Sequence, residues 1–337
     1  MRIASIIGLA VFALGMSQYY QLSELIVLSP RVNTINSGGP IGGGAGEPSK
    51  NPVDDLNQAN LQEAFRLLTS EYIRRGDLDS LEVNRAALQG ILERRDFGAM
   101  LVTQSELEAQ DAPYDFYFET LTPEIGYARF GKYKGDEIKA FDGAVSEFKK
   151  TKKAKTLIID LRSPQAQADF QVAADILSRF VAPNELLFKI RRPGSDRATL
   201  FLSKEPELNW RKQIVLLMDS ETGNVGEIIA AALRRRISGV ENLVSIGEPT
   251  RGQTVEYRDV PVAEDRILRY AIAEVVLDDD SSLYQIGVKP ELETPCDLNA
   301  KHFLFSQIDA GKTLTTFLFP RERPRNSEAS LVAKTNP

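Results

Sequence analysis

The spacing of apolar positions changes along the chain and divides it into regions. Leu61, Phe65, Leu68 and Tyr72 recur at helical intervals, which predicts a helix running to about Arg75 and closed by Gly76. Asp55 with Gln58 is the expected cap of that helix. Val83, Ala87 and Ile91 predict a second helix over 81–94, and two such helices are expected to pack against something. From Tyr114 onward the period shortens. DFYFETL and IGYARF read as strands joined by the turn Thr122-Pro123-Glu124. A helix over 136–150 follows, with Ile138, Phe141, Val145 and Phe148 on one face. KTLIIDLRS (155–163) is nearly continuous in apolar residues, the pattern of a strand buried on both faces. A helix over 169–181 comes next, and further strands are predicted at LLFKIR, ATLFL, IVLLM, NLVSIG and LRYAIAEVVL. Strand and helix alternate, so an α/β core is expected from Tyr114 to about Glu293. The polar tail RERPRNSEASLVAKTNP is read as lacking fixed structure.

The ends and the composition add limits. Arg2 precedes an uncharged apolar run over 3–16, short for a membrane span, which needs roughly 20 residues. With Ala13 and Gly15 near its end, it reads as an export signal. Uncleaved, it would tether the chain to a membrane; either way the folded part is expected in the periplasm or a lumen. SGGPIGGGAGEPSKNP (37–52) is read as a flexible spacer, since it lacks the Gly-Lys-Ser/Thr ending of a phosphate loop. The expected organisation is signal or anchor over 1–17, spacer over 18–54, helical region over 55–112, α/β core over 113–300, and an extension with a tail over 301–337. The net charge of −6 argues against nucleic acid as the main partner. One cysteine, Cys296, excludes an intrachain disulfide and a cysteine zinc cage; one histidine, His302, excludes a histidine-rich metal site. No metal or other cofactor is expected.

The candidate chemistry lies at a strand-to-helix junction, DSETGNVGEIIAAALRRR (219–236), entered from IVLLM. Helix-start amides at such a junction stabilise negative charge, and hydrolases often place a nucleophile there. Taken in order, IGYARF, TLIIDLR, IVLLMDSETGNVGEIIAAAL, IGEPTRGQT and LRYAIAEVVLDDDSSLYQIGVKPELE resemble the core of the C-terminal processing peptidases, or tail-specific proteases. LEVNRAALQGILERRD resembles the helical stretch before that core. The resemblance implies a crotonase-like α/β core that cleaves proteins near their C-termini with a serine nucleophile and a lysine base. A neutral lysine must take the serine proton, and backbone amides must face the oxyanion.

Laid on that pattern, the chain departs at every part of the reaction centre. The family's small-residue nucleophile motif corresponds to Thr222-Gly223-Asn224-Val225-Gly226-Glu227, which puts Asn224 at the nucleophile position. The base segment corresponds to Gly247-Glu248-Pro249-Thr250-Arg251-Gly252-Gln253, which puts Gln253 where lysine belongs. Asp160-Leu161-Arg162 is kept, but Ser163-Pro164-Gln165-Ala166-Gln167 follows without the glycines of the oxyanion turn; Ala166 and Gln167 hold those positions. Phe97 to Pro113 leaves no room for the PDZ domain many relatives carry. Two carboxamides cannot exchange a proton near neutral pH, though each can hydrogen-bond. The resemblance thus implies no intact catalytic residue and a peptide- or protein-binding role.

Two alternatives stand beside this reading. One is an active serine endopeptidase acting on envelope proteins, with Ser220 as nucleophile and Lys212 or Lys289 as base; against it, Ser220 reads more simply as a turn residue. The other is an assembly protein whose groove is filled by its own chain. Glu248 and Asp160 are read as loop braces, Asp278-Asp279-Asp280 as a solvated turn without calcium-loop spacing, and His302 as a half-buried histidine. Arg234-Arg235-Arg236 reads as a cationic helix end.

Overall fold

The computed structural model describes residues 53–318, apart from positions 55, 110–113, 151–152, 166–168, 196, 205–209, 211 and 236–242. The apolar run over 3–16, the Gly/Pro-rich stretch over 37–52 and the polar tail over 321–337 lie outside the described residues. Two compact units divide near Met100.

The first unit holds α1 (Gln58–Glu71) and α2 (Ser80–Arg95). Asn57 caps α1 by accepting from Asn60 N at 2.9 Å, where Asp55 was expected; Asp55 itself is outside the described residues. Asp79 Oδ1 accepts from Glu82 N at 2.8 Å and caps α2 in the same way. Neither helix contains a buried residue.

The second unit carries the α/β core. β1 (Ala99–Val102) straddles the division and α3 (Gln104–Ala109) follows it. One sheet has the order β11-β8-β7-β4-β3-β2. Its strands are β2 (Tyr117–Thr122), β3 (Ile125–Arg129), β4 (Thr156–Asp160), β7 (Gln213–Met218), β8 (Leu243–Gly247) and β11 (Leu292–Glu293). All neighbours are parallel except β2 and β3. The second sheet is antiparallel: β10 (Arg266–Val276) pairs with β9 (Val255–Ala263) and with β5 (Leu186–Arg191), and β5 pairs with β6 (Thr199–Leu202).

The continuous apolar strands have a direct explanation. Successive side chains point to opposite faces, so a strand covered on both sides needs no polar positions. Leu157 and Ile159 of β4, with Ile214, Leu216 and Met218 of β7, enter the cluster shared with α4 (Gly135–Lys150), α5 (Phe170–Leu177) and α6 (Asn224–Arg235). Ile158, Val215 and Leu217 enter the cluster on the other face, covered by α7 (Leu298–Asp309) and α8 (Leu314–Leu318) through Phe305, Ile308, Leu314 and Leu318. Each such side chain stabilises the fold by about 1.5–3 kcal/mol relative to exposure. Position 300, read from sequence as the end of the core, falls inside α7; both terminal helices belong to the packed structure.

Candidate functional site

Parallel sheets gather loops at the carboxyl ends of their strands, where ligands of open α/β folds bind. Three such loops meet here, after β4, β7 and β8. The loop after β4 touches the head of α6 through Gln165, and the loop after β8 is held by Glu227 in the first turn of that helix. The Glu227 carboxylate accepts from Thr250 Oγ1 at 2.6 Å, Gln253 N at 2.7 Å and Gly252 N, and also from the backbone N–H of Asn224. Burial pushes its pKa up to about 7, against the pull of those donors. The close approach of the loops restricts side chains. Gly247 has φ +131°, and a Cβ there would lie 1.8 Å from Met218 O, so only glycine lets the ends of β7 and β8 touch.

Asn224 opens α6 with φ +44°, in the left-handed region. Asparagine is among the few non-glycine residues that visit it readily. The side chain is fully buried, and Nδ2 donates to Gln165 O at 3.3 Å. Gln165 returns the contact: its Oε1 accepts from Val225 N at 3.2 Å. Val225 N–H is a helix-start amide of the kind that would face an oxyanion. Gln253 is buried too. Its Nε2 donates to Tyr257 Oη at 2.8 Å, and burial pushes that phenol up to about 12. A Cβ placed on Gly223 would lie 3.7 Å from Gln253 Oε1. The Asn224 and Gln253 positions are therefore joined through Glu227. Ala166 and Gln167 lie outside the described residues, and their neighbour Gln165 supplies the contact from that loop.

The loop after β4 is pinned by an ion pair. Arg162 grips Asp160 through two hydrogen bonds of 2.8 and 2.6 Å, and Tyr127 Oη donates to the same carboxylate at 2.7 Å. Burial works against the Asp160 carboxylate, but Arg162 and these hydrogen bonds outweigh it and hold the pKa below its ordinary value. Lys301 ties this loop to the next. Its Nζ donates to Asp219 at 2.6 Å, to Glu221 at 2.5 Å and to Arg162 O at 3.2 Å, so all three N–H donors have acceptors. Burial opposes ionisation of Glu221, but Lys301 and then His302 outweigh it and lower its pKa.

The remaining candidates are placed as follows. Ser220 is an exposed turn residue. Lys212 donates to Ala154 O at 2.6 Å from the opening end of β7, roughly 20 Å of strand away from the junction. Lys289 pairs with Glu293 at 2.9 Å. Glu248 accepts from Cys296 N at 2.8 Å, and burial raises the Cys296 thiol to about 11. Asp278 and Asp279 pair with Arg235, and Asp280 pairs with Lys189 at 2.6 Å. His302 bridges Glu221, at 3.0 Å, and Tyr114. Gln165, Lys301 and Tyr257 are the residues that sequence reasoning did not single out. Gln165 stands in the glycine-free turn, which was the available signal; the spacing of Lys301 and Tyr257 carries none.

The profile described as "Peptidase family S41" matches residues 124–294. A peptidase-type protein of Parabacteroides merdae superposes with a TM-score of 0.53 at 14% identity, over 71% of this chain and 82% of that one. A lipoprotein from Streptococcus agalactiae gives 0.46 at 15%, over 74% and 90%. The photosystem II D1 C-terminal processing protease gives 0.42 at 18%, over 66% of this chain and 54% of that one. At these identities the likeness shows the fold alone, and the Parabacteroides structure is similar enough to carry it. No curated protein matches the sequence.

Proposed function

The chain belongs to peptidase family S41, and from that premise we propose that it is a member that has lost hydrolysis and works by gripping a peptide or protein partner. The observation that carries this reading is the pairing at the head of α6. A carboxamide, Asn224, stands where the family pattern puts the nucleophile, and the amide next to it, Val225 N–H, already holds Gln165 Oε1. Acyl transfer needs an alcohol whose proton a base can take, and a free donor for the oxyanion. Asn224 and Gln253 offer donors and acceptors but no transferable proton near neutral pH. Lysine is present nearby as Lys301, yet its three donors are fixed on Asp219, Glu221 and Arg162.

We place the protein in an exported setting, on the strength of the apolar run over 3–16; that run is outside the described residues. No helix among the described residues is long and apolar enough to cross a membrane. The acidic net charge favours a polypeptide partner over nucleic acid.

Incubation with unstructured polypeptides and a serine-reactive phosphonate tests the reading. Neither cleavage nor labelling is expected, with the parent or with Ser220→Ala. Cleavage by the parent that disappears in Ser220→Ala would establish the rearranged serine endopeptidase instead. The Gln165 contact also favours a second reading, an assembly protein whose groove is closed by its own chain, marked by failure to retain any polypeptide.

A further inference from the structure

Three hydrogen-bonding groups at the head of α6 form an unusual set. Val225 N–H donates to the side-chain carbonyl of Gln165 at 3.2 Å. Asn224 Oδ1 and Gln253 Oε1 accept from no partner among the described residues, although the two residues are 0% and 3% exposed. A buried acceptor without a donor costs about 1–3 kcal/mol, and natural folds keep few of them. These two belong to one cluster. Asn224 N and Gln253 N share the Glu227 carboxylate, and Gln253 Oε1 lies beside Gly223.

The set asks for a group that accepts once and donates twice. A primary carboxamide has that inventory: one carbonyl and two N–H donors. A secondary amide supplies one donor fewer. A carboxylate supplies acceptors only, and would set negative charge against both oxygens. The lysine that could welcome a carboxylate is replaced by Gln253.

We propose that the cluster is a binding site for a primary carboxamide, carried by an Asn or Gln side chain or by an amidated chain end, with Gln165 as its displaceable stand-in. The proposal rests on the reading of the protein as a non-hydrolytic binder. Gln165 carries the same chemical group but supplies only the carbonyl half. An entering carboxamide would take over Val225 N–H and bring donors to Asn224 Oδ1 and Gln253 Oε1. The site then prefers the amide form of a chain end over the free carboxylate.

Calorimetric titration of the full chain tests this with four probes: acetyl-dialanine carboxamide, its N-methylamide, its free acid, and acetylglutamine N-methylamide, whose carboxamide is on a side chain. The dialanine carboxamide is expected to bind about tenfold more tightly than its N-methylamide, the worth of one net hydrogen bond, and the free acid is expected to bind most weakly. Comparable binding of the glutamine probe would make side chains a source; binding of the amidated dialanine alone would make it the chain end. Gln165→Ala removes the competitor and should tighten carboxamide binding about tenfold. Gln253→Lys should reverse the order, with the free acid first, and this arm needs no Gln165 variant to fold. A free acid that matches the carboxamide on the parent, or a folded Gln165→Ala that gains nothing, overturns the proposal while leaving a binding role standing. No binding of these probes or of unfolded polypeptide, by the parent or Gln165→Ala, overturns both.

Discussion

Asn224 opens α6 in the left-handed region, where most side chains are strained. An L-residue in the left-handed region costs about 1–2 kcal/mol, and asparagine largely escapes that cost. Asn224→Ser is therefore expected to lower stability by about 1 kcal/mol in urea unfolding, while fluorophosphonate labelling stays absent because Gln253 and Gln165 remain. A serine variant as stable as the parent would remove the backbone argument. Glu227 supplies a second prediction at this scale. The folded chain holds the Glu227 proton up to about pH 7, whereas the ordinary value is 4.5. Between these values the folded state binds more protons, so this stabilisation is full below the lower value and is lost as pH rises through the higher one. Glu227→Gln does not titrate; its deficit relative to the parent should shrink by about 2 kcal/mol between pH 5 and pH 8. An unchanged deficit would contradict the burial argument. Asn224 could be picked out in the sequence because Glu227 anchors its motif, and Gln253 because it closes the segment Gly247–Gln253. Gln165 was legible only as a missing glycine, since the direction of a side chain leaving an irregular turn has no periodic signature.

Among the elements, those buried on both faces were the easiest to read. β4 and β7 announce themselves by apolar runs that only a doubly covered parallel strand tolerates. β9 escaped, because VEYRDVPVA is mostly exposed and carries Pro261, which argues against a central strand. α7 escaped because its stripe is mixed: Phe305 is fully buried, while Phe303 is 49% exposed. Its packing makes a sharp prediction. Phe305 fills the second cluster beneath β4 and β7, with the Arg129 guanidinium 4.4 Å from its ring centre. Phe305→Ala is expected to cost about 3–5 kcal/mol, measured by denaturant midpoint. A loss below 1 kcal/mol would mean that α7 is an appendage and not a wall of the core.

For the molecule as a whole, family membership supplies the scaffold, and the loops carry the residues on which this chain differs from the family pattern. The α/β class followed from alternation, and the first four motifs fall on β3, β4, β7 and β8, which neighbour one another in that order. What lay beyond reach was any contact between distant loops, because no local period encodes it. Lys301 is the clearest instance. It is contributed by a helix that follows every strand among the described residues, yet it neutralises Asp219 and Glu221 in the loop that leads to Asn224. A buried carboxylate left without its cation costs about 3–5 kcal/mol. During synthesis the sheet can therefore pair before the junction can settle. Until residue 301 has emerged, a nascent polypeptide holds this scaffold with the Asp219 and Glu221 charges unmatched, and the order of translation sets the order in which framework and junction mature.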